Sequence, residues 1–201
     1  MDDDLGNSAA TLAEAGVYLA RAWGTRESVG RGRICACNAD RDQCRVGLAG
    51  RHPVHADPAR TATRDPSILE GWRTAFASEN MLALTGARSR LVGLSFQDRE
   101  ALHVTQRRFG ALPFTPLSEA PGGSRTAWFR WARPPVIDPD GMGTNVRVHA
   151  EGARLLVPGS TLADGVAEWV VSPADARIAG LPLPWRQTIL NAADRRVFRT
   201  A

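Results

Sequence analysis

The sequence contains no lysine, so all 25 of its basic residues are arginine. A guanidinium keeps its charge at any working pH and grips phosphate or carboxylate oxygens two at a time. No stretch approaches the roughly 20 apolar residues of a membrane-spanning helix. The chain opens on Asp2, Asp3 and Asp4 rather than on the basic head of a secretory leader, so a soluble, cytoplasmic protein is expected. In that reducing compartment the three cysteines are not expected to form disulfides.

What is present bounds the fold. At 201 residues the chain can bury roughly 70% of its unfolded surface in one domain. The expected division is an acidic, disordered head over residues 1–7, a single domain over 8–185, and a basic tail or short helix over 186–201. A formal net charge of +4 permits a nucleic-acid or nucleotide partner without establishing one, because arginine enrichment also follows from GC-rich coding.

Spacing predicts the elements. Leu12, Ala15, Leu19 and Trp23 form one helical stripe over residues 8–23, with Ser8 as cap. Asp65 and Pro66 read as the cap and first turn of a second helix that turns Ile68, Leu69, Trp72 and Phe76 inward. Residues 98–109 form a third helix, stopped by Gly110. Strands are expected at 81–84, 91–96, 114–117, 126–131, 154–157 and 168–171. Helices interspersed with strands argue an α/β or α+β domain: a mixed sheet with flanking helices.

Residues 24–64 are rich in glycine, proline and arginine and need an internal tie. Cys35, Cys37, Cys44 and His52 supply the soft donors of a four-ligand structural zinc site, with His55 in reserve. The Cys-x-Cys spacing is not that of a standard zinc knuckle, and buried apolar thiols are the competing reading. A small Cys/His insertion over about 30–55 is expected.

The stretch LVGLSFQDRE, residues 91–100, is a buried strand that delivers Ser95 and Gln97 to one face. Asp98, of opposite parity, reads as the cap of the next helix. Asp138 and Asp140 read as an acidic turn. Trp128, Phe129 and Trp131 have the character of base-stacking residues, although alternating strand aromatics are usually core. His103 and His149 show no partner by spacing, and no Ser-His-Asp or Cys-His nucleophile can be argued from them.

From about residue 9 to about 185, the order of landmarks resembles the bifunctional DNA primase/polymerase N-terminal (prim-pol) domain of the archaeo-eukaryotic primase superfamily. The landmarks include Gly50-Arg51-His52-Pro53, Ala62-Thr63-Arg64-Asp65 and Asn80 to Gly86. They continue with Arg90 to Gln97, Pro121 to Arg125 before a strand, Thr144 to Arg147, Leu155 to Ser160 and Gly165 to Trp169.

The resemblance implies a metal-dependent nucleotidyl transferase fold and strengthens the zinc reading for Cys35, Cys37, Cys44 and His52. In active members the strand matching 91–97 ends in Asp-x-Asp, a third Asp arrives later, and a histidine follows the glycine-rich turn. The matching positions here are Ser95, Gln97, Asn145 and Arg125, none of them a carboxylate. Hence no catalytic magnesium or manganese is expected.

Arg125, Arg147 and Ser160 match the nucleotide pocket, and Arg88 and Arg90 flank the strand. The implied function is non-catalytic binding of DNA, RNA or a nucleotide, with a replication or regulatory protein as a further partner. The rival readings are an active primase/polymerase with atypical ligands and a protein-interaction module.

Overall fold

The computed structural model describes residues 4–30, 32–37, 44, 49–76, 78–140, 142 and 145–197. Along the chain the elements are α1 (Asp4–Glu14), β1 (Leu19–Ala22), β2 (Thr25–Ser28), β3 (Gly32–Cys35), α2 (Pro58–Thr61), α3 (Pro66–Ala75) and β4 (Asn80–Leu84). They continue with β5 (Leu91–Phe96), α4 (Arg99–Phe109), β6 (Leu117–Glu119), β7 (Arg125–Arg130), β8 (Val146–His149) and β9 (Arg154–Leu156). Last come β10 (Thr161–Leu162), β11 (Gly165–Val166), β12 (Glu168–Val171), β13 (Ala179–Gly180) and α5 (Leu183–Val197). The fold is mixed α+β. Two compact units share the chain: Met1–Leu84 with Ala120–Gly122 and Leu156–Glu168, and Thr85–Glu119 with Gly123–Leu155 and Trp169–Ala201.

In the first unit, α1 begins at Asp4, inside the segment expected to be a disordered head, and buries Ser8, Ala9, Leu12 and Ala13. Met1 to Asp3 lie outside the described residues. The helix stops well short of the expected Trp23. Gly16 adopts φ 80°, its N–H donates to the Ala13 carbonyl at 2.8 Å, and the Val17 N–H donates to the Leu12 carbonyl at 2.9 Å. These two bonds close a Schellman stop, which only a residue tolerant of left-handed φ permits cheaply. Leu19 and its successors then pair antiparallel with β4, Leu19 opposite Ala83 and Ala22 opposite Asn80.

Helix α3 starts as expected, with the Asp65 carboxylate accepting from the Ser67 N–H at 2.9 Å. Its inward face is narrower than the spacing predicts. Leu69 is buried, whereas Ile68 is 44% exposed and Phe76 39% exposed. Asn80, buried on β4, donates to the carbonyls of Gly50 and Thr161 and accepts from the Thr161 N–H, all at 2.8 Å. One amide side chain thereby ties three segments of the unit together.

The second unit is built on a sheet in the order β12-β6-β7-β5-β8, with β13 parallel to β7. The alternation of β5 sends Val92, Leu94 and Phe96 to one side, where they join Leu102 of α4 and Trp185 and Ile189 of α5 in a buried core. Trp185 meets Phe96 edge-on at 6.3 Å between ring centroids, and its Nε1 donates to the Gly110 carbonyl at 3.0 Å. Residues 186–201 are expected to form a tail or short helix, yet Ile189, one turn beyond Trp185, is fully buried. Residues 198–201 lie outside the described set.

Strand β8 is not anticipated by the sequence pattern, because its burial alternates over only four residues. The expected strand at 114–117 is shifted, and β6 starts at Leu117. Trp128 and Phe129 are fully buried, Trp128 against Trp169 at 5.2 Å, so these two serve the core and are not free to stack on bases.

Candidate nucleotide face and cysteine–histidine centre

On the side of the sheet away from Phe96, register decides which side chains meet. Ser95 on β5 stands opposite Thr126 on β7 and opposite Arg147 on β8. Two residues on, the Gln97 N–H donates to the Asn145 carbonyl at 3.2 Å. Gly93 lies under Leu155, whose methyl carbons would sit 2.7 Å from any added Cβ. The face therefore carries Ser95, Gln97, Thr126, Asn145, Arg147 and His149.

Its centre is a hydrogen-bonded triplet. Ser95 Oγ lies 2.7 Å from Thr126 Oγ1 and 2.9 Å from His149 Nε2. Burial first, and then the Arg147 charge, push the His149 pKa down to about 4, against weaker opposing effects of the Arg154 backbone and Asp140. His149 is consequently neutral at pH 7. Its other ring nitrogen donates to the Arg154 carbonyl, which leaves Nε2 to accept from the Ser95 hydroxyl.

Two expected phosphate ligands are engaged in other contacts. Arg125 pairs with Phe96, so parity sends it to the opposite face, and Glu119 holds its guanidinium at 2.6 Å. Ser160 belongs to the first unit, where it is fully buried and accepts from the Met81 N–H at 3.4 Å. Arg90 precedes β5 at the end remote from Ser95, about 16 Å away along an extended strand, and Arg88 lies in the turn before it. Arg147 remains on the face, exposed, 3.5 Å from Asp140. The resemblance matches Asn145 to the later carboxylate, whereas register puts Arg147 directly across from Ser95. Thr126 and His149 are missed by the sequence, because only strand pairing reveals them.

A divalent cation that activates a triphosphate needs oxygen ligands with carboxylate among them. This face offers two hydroxyls already bonded to each other, amides, a neutral imidazole and a guanidinium, with one neighbouring carboxylate, Asp140, paired to that guanidinium, and that set does not fit such a cation. Asp98 caps α4 by accepting from the Ala101 N–H at 2.7 Å, and Asp138 accepts from the Asp140 N–H within its own turn at 3.1 Å.

In the first unit the cysteines converge. Cys35 ends β3, and the loop bearing His52 is tied to β1 by bonds from the Trp23 N–H to the His52 carbonyl and from the Val54 N–H to the Arg21 carbonyl. Cys35 Sγ is 2.8 Å and Cys44 Sγ 3.6 Å from His52 Nε2, and the donor atoms of Cys35, Cys37, Cys44 and His52 all lie within 4.8 Å of one another. A tetrahedral zinc site has ligand–ligand edges of about 3.5 to 4 Å; the Cys44–His52 separation falls in that range and the Cys35–His52 one is shorter.

The thiols do not ionise alike. Burial opposes the Cys35 thiolate, but hydrogen bonds from Cys37, Gly50 and Cys44 outweigh it and lower its pKa. Burial, and then the neighbouring Cys35 and Cys37, push Cys44 up to about 12. Burial lowers the pKa of His52, favouring the neutral ligand form. Such crowding of prospective anions suits a dication, and this group of four could hold a metal ion. Among the described residues it is the sole cluster of three or more His, Cys, Asp or Glu that could do so.

A search of curated proteins returned no match. The sequence profile of the bifunctional DNA primase/polymerase N-terminal domain matches residues 17–184, most of the chain, including β5, β7, β8 and the cysteine–histidine centre. The chain belongs to the bifunctional DNA primase/polymerase N-terminal family.

Proposed function

We propose that this domain binds nucleic acid or a nucleotide without catalysing nucleotidyl transfer, in a regulatory role in the cytoplasm. The observation that carries the reading is the rung Thr126–Ser95–Arg147, flanked by His149, Gln97 and Asn145. Ser95, Gln97 and Asn145, which the resemblance matches to metal-binding carboxylates, carry no acid, and Ser95 is engaged in a neutral, internally bonded triplet beside a cation. Phosphoryl transfer relies on metal to neutralise developing charge. A guanidinium still binds phosphate, and does so without metal. Arg147 is accordingly the main phosphate ligand of the face.

Cys35, Cys37, Cys44 and His52 hold zinc in this reading. The ion ties Cys35, at the end of β3, to the His52 loop beside β1 and takes no part in chemistry.

The deciding experiment is primer synthesis and extension on single-stranded DNA with magnesium or manganese. Two variants run beside the natural protein, each carrying Ser95→Asp and Gln97→Asp, one with Asn145→Asp and one with Arg147→Asp. The natural protein is expected to synthesise nothing. Synthesis by it would overturn the non-catalytic reading, and rescue only with Arg147→Asp would identify register as the guide to the lost site.

A further inference from the structure

We infer that the first unit carries a separate pocket for a phosphate-bearing nucleobase, formed around α3. The inference rests on the nucleic-acid reading above and assigns a ligand class to residues that reading does not use. A cavity of about 560 Å³ opens beside Trp72 and Phe76. Small-molecule sites span roughly 300 to 1,000 Å³, so a base with its sugar and phosphate fits.

Trp72 and Phe76 stand four residues apart, which places them as neighbours on one helical face. Phe76 is 39% exposed, an unusual state for an aromatic that the helical spacing predicts to be core. Its ring is held in place from one side. The Arg21 guanidinium lies 3.4 Å from the ring centroid and is gripped by both Glu79 oxygens, at 2.5 and 2.7 Å. Glu79 cancels the charge of Arg21, so this pair orients an aromatic plate and is not itself the phosphate ligand.

Arg33 and Arg73 line the same cavity with side chains 39% and 46% exposed. Their carboxylate partners, Glu27 and Glu70, are exposed as well, and exposed ion pairs are weak. Phosphate can displace them by two-point hydrogen bonding. Asp4 is the remaining acid of the lining and is outnumbered by these two arginines. Thr25, also in the lining, has a buried hydroxyl with no hydrogen-bond partner among the described residues. Aromatic plates flanked by arginines are the arrangement that binds successive bases of a single strand by stacking and charge.

The test uses the whole chain and a single-stranded oligonucleotide containing 2-aminopurine, titrated at several salt concentrations, with adenosine monophosphate as competitor. Trp72→Ala is expected to weaken binding about tenfold, with Trp72→Phe restoring most of it. Combined Arg33→Ala and Arg73→Ala is expected to flatten the salt dependence. Displacement by the monophosphate would identify a free nucleotide as the source of the base, and resistance to it would identify a strand. Both results support the pocket. Unchanged affinity in a Trp72→Ala protein of native circular dichroism would overturn it while leaving the nucleic-acid reading intact. Failure of the natural protein to bind either probe would overturn both.

Discussion

Ser95 Oγ lies 2.9 Å from His149 Nε2, two side chains brought together by strands 50 residues apart in the chain, at a site where burial and the Arg147 charge keep the imidazole neutral. His149 titrates at about 4 in the fold against an ordinary 6.5. Between those values the unfolded chain binds more protons than the folded one, so stability rises with pH across the interval. The contribution is complete above about pH 6.5 and is lost as the pH falls toward 4. Its full size is of order 3 kcal/mol. Urea midpoints for the natural protein and His149→Gln should converge as the pH drops from 7.5 to 4.5, and parallel curves would refute the assignment.

Removal of metal should act on a different part of the molecule. Dialysis against a strong chelator is expected to expose the amides of residues 32–37 and 50–54 to hydrogen exchange, and added zinc to restore protection. Cys44→Ser should mimic the chelator. Metal content near one ion per chain, measured on protein purified without added zinc, is the accompanying check.

Arg147→Glu is expected to lower affinity for single-stranded DNA several-fold and to reduce the slope of log affinity against log salt by about 1. Arg125→Glu should have a smaller effect on binding, because its guanidinium is held by Glu119 on the other face. Equal effects from the two would place the phosphate contact away from the Ser95 face.

Two core substitutions separate packing from polar ties. Trp185→Ala removes a fully buried indole packed against Phe96 and Phe109 and is expected to cost about 3 to 5 kcal/mol. Asn80→Ala leaves the Gly50 carbonyl and the Thr161 backbone without that partner and is expected to cost about 2 to 4 kcal/mol. Thermal or urea unfolding measures both.

Features governed by local rules are legible in the sequence. The caps at Asp65 and Asp98, the stop at Gly110, the buried run of β5 and the shared parity of Ser95 and Gln97 all follow from neighbours a few residues away. The convergence of Cys35, Cys37, Cys44 and His52 is also readable, because donor chemistry narrows the choice. Features set by pairing are hidden. His149 looks partnerless in a linear reading because its position opposite Gly93, beside Ser95, depends on the register between β5 and β8. The side of the sheet that Arg125 occupies is hidden for the same reason, since a one-residue displacement moves a side chain across the sheet. Helix α1 is overextended by its apolar stripe, because Leu19 suits a strand facing Ala83 as well as a helix.

The triplet on the sheet face has a direction. The Arg154 carbonyl can only accept, so His149 donates to it, Ser95 donates to His149, and Thr126 donates to Ser95. Every hydroxyl proton in the series is committed inward. Toward an incoming molecule Thr126 presents lone pairs alone, while Arg147 one strand over presents only N–H groups. The surface thus discriminates by polarity over a few ångströms: amino groups are received at the threonine and phosphate oxygens at the arginine. A ligand can satisfy both in one orientation, and the opposite orientation sets acceptor against acceptor.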